Sequence, residues 1–149
     1  MTILQQIFNA VQARFQDILV KNNYSSDVGL NVTVHKTTNY SQCELDGIDL
    51  VFETDDIKFM SEALFDHEII VNANIFVQDG SSSFSNITEI TNDVLRAIGV
   101  DKTWTVAGIP LAYWTQPKST EIKLKQDGSL IGGAIVKFSI KYKTLPWTS

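Results

Sequence analysis

The stretch HEIIVNANIFVQ, residues 67–78, constrains the fold most, because Ile69, Val71, Ala73, Ile75 and Val77 recur at period two and share one face of an extended chain. A strand of that length with a continuous apolar face needs neighbouring strands and an apolar cover. Its other face, with Glu68, Ile70, Asn72, Asn74 and Phe76, is mixed and predicts about half cover. A second long strand is predicted over Leu130–Lys143, with Ala134, Val136, Phe138, Ile140 and Tyr142 inward and Lys137, Ser139, Lys141 and Lys143 outward. A strand over Glu121–Lys125 precedes it, and Asp127-Gly128 between them has the chemistry of a tight hairpin turn. Shorter strands are expected at Asn31–Val34 and Gly47–Glu53, where Ile48, Leu50 and Phe52 alternate with Asp49 and Val51. Residues 54–66 show no clear period.

Two helices supply the cover. In the first, from about Thr2 to Val20, Ile3, Leu4, Ile7, Phe8, Val11, Phe15, Ile18 and Leu19 recur at the helical period, and the polar run from Asn22 to Ser26 ends it. After a polar loop over residues 79–85, Asn86 and Glu89 have capping-box spacing for a helix over Ile87–Ile98. Its buried stripe is Ile87, Ile90, Val94, Leu95 and Ile98, with Arg96 in the last turn and Gly99 as a left-handed stop. The class is therefore α+β, a largely antiparallel or mixed sheet with two main helices packed on one face. A chain of 149 residues has the size of one domain, here 1–149.

With 44% hydrophobic and 19% charged residues, the chain has the composition of one that folds unaided. The lone Cys43 excludes an intrachain disulfide, and the N-terminus carries neither a signal-peptide pattern nor a membrane-length apolar run, so a soluble intracellular protein is expected. Net charge is −5 and the only arginines are Arg14 and Arg96, which argues against gripping nucleic acid. The charge is unevenly spread. Between Ser41 and Asp79 ten acids face the single base Lys58, whereas from Gln116 to Ser149 six lysines face Glu121 and Asp127.

Catalytic chemistry finds little support in the pattern. A nucleophile needs a base in reach, and the two histidines, His35 and His67, sit in no supporting motif. Ser81, Ser82 and Ser83 lie in a loop without a strand-turn-helix elbow, and Gly132-Gly133 lies inside a strand instead of opening a helix. The acidic cluster Asp46, Asp49, Glu53, Asp55 and Asp56 is a candidate Mg2+ site, although its spacing does not match the calcium loop and a structural or interface role is preferred. No other cofactor is expected. Charge polarity is better explained by assembly, because an acidic patch that fits a basic patch on the next copy makes a head-to-tail contact. The residues assigned to such contacts are Glu53, Asp55, Asp56, Lys137, Lys141, Lys143 and Trp114; Trp104, Tyr113 and Trp147 are further aromatic candidates, for contacts or for the core.

The layout as a whole resembles the tail terminator family of long-tailed bacteriophages. The matching segments are ILQQIFNAVQARF, HEIIVNANIFVQD, NITEITNDVLRAI, PLAYW and GGAIVKFSIKYKT, which span nearly the full chain. The resemblance implies a non-enzymatic virion protein, a homohexameric ring that caps the tail tube, stops its polymerisation and joins it to the head connector. It implies location in the virion tail, with assembly in the host cytoplasm and no membrane. It also implies tail tube protein and head-tail connector as partners, with DNA passing through the lumen without specific binding. A domain of this length has a radius of gyration of ~15 Å, and six such bodies leave room for a duplex. The alternatives are another neck or tail-completion protein, a small metal-dependent enzyme using the acidic cluster with His67, and a binding module built on the aromatic segment.

Overall fold

In the computed structural model, which describes residues 2–36, 46–61, 63–78, 83–123, 131–145 and 147, two helices lie over a five-stranded mixed sheet. The strands are β1 (Val32–Val34), β2 (Gly47–Ser61), β3 (Leu64–Gln78), β4 (Thr105–Val106), β5 (Ile109–Pro110), β6 (Trp114–Lys123) and β7 (Ile131–Thr144). The main sheet has the order β1-β2-β3-β7-β6, and β4 with β5 forms a separate small hairpin. Only β1 and β2 run parallel; every other pair in the main sheet is antiparallel. The expected α+β class with a largely antiparallel sheet is what the chain forms. The predicted turn at Asp127-Gly128 and the position of Cys43 fall outside the described residues.

α1 (Ile3–Gln16) starts where Thr2 caps it, accepting a hydrogen bond from the Gln5 amide at 3.0 Å. It is shorter than the Thr2–Val20 expectation, because the chain leaves the helix at Asp17 and Leu19 is extended at φ −136°. Ile18 is nonetheless buried, packed from the exit segment instead of from the helix. Gly29 then passes close to that exit: a Cβ there would meet the Gln16 carbonyl oxygen at 2.5 Å, so the crossing admits only glycine.

α2 (Ser83–Gly99) begins earlier than the capping-box reading of Asn86 and Glu89, which places Asn86 within the helix. Ile87, Ile90, Val94 and Ile98 are buried as expected, whereas Leu95 is exposed and Ala97 takes its place in the core. The left-handed stop at Gly99 is not formed; among the described glycines only Gly108 has positive φ. Asp93 on α2 is buried and accepts from the Ser25 amide at 3.1 Å and the Ser26 hydroxyl at 2.7 Å, tying the segment after α1 to α2.

One core joins the buried faces of both helices to Ile48 and Leu50 of β2, Ile69 to Val77 of β3 and Ala134 to Tyr142 of β7. Phe8 of α1 stacks on Phe52 of β2 at 3.8 Å between centroids, and Phe15 on Phe138 of β7 at 6.0 Å. Every inward residue predicted on the two long strands is buried. The other face of β3 is half-buried from Glu68 to Phe76, as its mixed composition implied.

Candidate interaction surface

Residues 54–66, which show no clear period in the sequence, are the far part of a long hairpin, in which β2 and β3 pair from Gly47↔Phe76 to Ser61↔Leu64. The period was hidden by a bulge between Phe52 and Thr54. One extra residue there shifts the alternation, so even positions face the core before it and odd positions after it. Glu53 and Thr54 thus share the outer face, while Asp55, Ile57 and Phe59 lie on the same face as Ile69, His67 and Phe65.

That phase shift brings Asp55 to His67. Nδ1 of His67 lies 3.2 Å from both Asp55 oxygens, Nε2 lies 2.8 Å from the Thr144 hydroxyl, and the Tyr142 hydroxyl donates to Asp55 Oδ2 at 3.0 Å. The Tyr142 ring stacks on His67 at 4.4 Å. Burial, followed by the neighbouring Asp55 charge, pushes the Tyr142 hydroxyl well above its ordinary range, so it remains a donor. An Asp–His–Thr line has the connectivity of an activated hydroxyl. Here, however, Thr144 is 2% exposed and His67 1%, so the hydroxyl meets no open surface and the group works as a buried strut across three strands.

The other acids diverge. Asp49 is buried and accepts from the Thr33 hydroxyl at 2.7 Å and the Lys36 amide at 3.0 Å, holding β1 against β2. Glu53 and Asp56 lie on the outer face, opposite in direction to Asp55. Among the described residues no three His, Cys, Asp or Glu side chains are grouped so as to hold a metal ion.

The lysine row and the acids meet within the chain, because the β3–β7 register sets Lys141 beside Glu68 and Lys143 beside Asp66. Lys137 reaches Glu53 at 3.5 Å, Lys141 reaches Glu68 at 3.7 Å, and Lys118 of β6 reaches the same Glu68 at 3.9 Å. Lys143 lies 5.0 Å over the ring of Tyr113, whose hydroxyl donates to Asp66 at 2.6 Å. Partial burial and then the Asp66 contact push that hydroxyl up to about 12. Ser139, predicted outward, lies on this face between lysines yet is fully buried, and its hydroxyl has no hydrogen-bond partner among the described residues. Trp114 is exposed, with Lys102 4.7 Å over its ring, whereas Trp104 is buried and donates to the Thr115 hydroxyl at 2.7 Å.

A group of exposed apolar side chains lies at the far end of the hairpin. Ile57, Phe59, Met60 and Leu64 are exposed there, with Leu145 and Trp147 beside them, the latter 91% exposed. Phe65 joins Phe59 at 5.8 Å and Trp147 at 5.4 Å, both edge-on. Of these residues only Trp147 was singled out from sequence. Alternation of Ile57 and Phe59 with Asp56 and Lys58 was the available signal, once the phase is reset at the bulge. No family model matches this sequence, and no curated protein matches it.

Proposed function

We propose that this protein is a structural virion subunit that acts by meeting other chains, a phage or prophage tail terminator. It forms a ring that caps the tail tube, stops its polymerisation and joins the tube to the head connector. The observation that carries the reading is the apolar hairpin end, with Ile57, Phe59, Met60 and Trp147 all more than half exposed. Clustered exposed apolar side chains of this size mark a surface made for another protein. The terminator identity itself draws on the resemblance in layout, and the contact residues Glu53, Asp56, Lys137, Lys141, Lys143 and Trp114 belong to the same proposal.

The test mixes the purified chain with tail tubes of the same virion and measures tube length by electron microscopy. Rings at tube ends and a fixed tube length support the reading. Tubes that elongate equally with and without the protein, while the protein sediments apart from them, overturn it.

A further inference from the structure

β1 pairs with β2 only from Ile48 to Leu50, so from Glu53 to Ser61 β2 has β3 as its sole strand partner among the described residues. Its other edge is a row of backbone donors and acceptors. Which residues point there follows from the hydrogen bonds. The Leu50 carbonyl accepts from the His35 amide at 2.9 Å and the Phe52 amide donates to His35 Nε2 at 3.2 Å, so even positions face the β1 edge before the bulge. After the bulge odd positions do, and Asp55, Ile57 and Phe59 direct their amides and carbonyls outward.

We infer that two copies of this chain join by antiparallel pairing of the β2 edges that have no strand partner among the described residues, centred on Ile57 against Ile57 of the partner subunit. Charge selects both the occupant and the register. Asp56 and Lys58 are exposed on the outer face, and neither enters an ion pair among the described residues. Centred on Ile57, each Asp56 lies directly opposite the other copy's Lys58, in the closer, non-hydrogen-bonded position where side chains approach best. Centring on Asp56 or on Lys58 sets like charges opposite each other.

β6, the edge strand at the opposite end of the main sheet, is a poorer partner. It contains Pro117, which donates no hydrogen bond, followed by a bulge before Ser119 and the charged Lys118. The β2 contact is therefore isologous and closes at two copies. A ring contact is head-to-tail, so this inference concerns the free chain and does not rest on the tail reading.

Sedimentation of the full chain, from low micromolar to several hundred micromolar, tests it. The native mass should rise to two copies. Asp56→Lys alone, or Lys58→Asp alone, should weaken pairing on the order of tenfold, because each turns two attractions into repulsions. The double reversal Asp56→Lys with Lys58→Asp should restore it, which a merely misfolded variant would not do. Ile57→Pro, which removes an edge amide that β3 does not use, should leave a folded monomer. A native chain that stays monomeric, or whose mass is indifferent to both single reversals, overturns the inference. A native ring indifferent to the reversals would do so while leaving the tail reading intact.

Discussion

The hydroxyl of Tyr142 on β7 reaches across β3 to donate to Asp55 on β2 at 3.0 Å, so one carboxylate ties three strands together. The same carboxylate accepts from the His67 ring, and both donors are buried. Asp55→Ala strands two buried donors, and leaving such groups unsatisfied costs about 1–3 kcal/mol. Asp55→Asn keeps one acceptor oxygen and should cost less. Urea denaturation of the three proteins checks the order; an alanine variant as stable as the native chain would show that the strut carries no weight.

Tyr113 gives a pH dependence at the alkaline end. Its hydroxyl is pushed up from the ordinary 10.0 to about 12 by partial burial and by its contact with Asp66. The folded chain therefore holds a proton that the unfolded chain releases first. This stabilisation is complete below pH 10 and is lost as the pH rises through about 12. Tyr113→Phe should flatten the fall in stability across that window, measured by denaturation at stepped pH. An unchanged slope removes Tyr113 as its source.

The strands β3 and β7, the two helices and most of their inward faces were legible in the sequence because each rests on an uninterrupted period. Val71 and Phe138 could face nowhere but the core. What sequence missed turns on single residues that break a period. The extra residue at Glu53 inverted the faces of the whole hairpin end, so Asp55 read as a surface acid beside Asp56 when the two point to opposite sides of the sheet. The pairing of Lys141 with Glu68 was equally hidden, since it depends on the register between strands more than sixty residues apart. Charge polarity along the chain was real, but the antiparallel register folds much of it back on itself.

Arg14 links the two helices through the segment after α2. Its guanidinium lies 3.6 Å over the Trp104 ring, donates to the Asp101 carbonyl at 2.6 Å and sits 3.6 Å from the Asp101 carboxylate. Burial lowers the Arg14 pKa and Asp101 opposes that shift; arginine keeps its charge in any case. Arg14→Ala should cost roughly 2–3 kcal/mol, the sum of a partly desolvated cation–π contact and a charged hydrogen bond. Arg14→Lys should recover only part of this, because an ammonium cannot stack and fork at once. Chemical denaturation followed by tryptophan fluorescence measures both.

The lysine row separates a role in stability from a role in assembly. Lys137, Lys141 and Glu68 are each about a third exposed, and ion pairs in such settings contribute little. Lys137→Ala and Lys141→Ala should therefore each change stability by no more than about 0.5 kcal/mol. Without Lys137, Glu53 keeps only the hydrogen bond from the Asn72 amide, and without Lys141, Glu68 keeps only the more distant Lys118, so any chain that docks on the outer face meets a changed charge. If that face meets another chain, the double alanine variant should fold as the native protein does and lose its association, with the native complex also weakening as salt rises. Association unchanged in both the variant and high salt would assign the row to solvent and leave assembly to the apolar hairpin end.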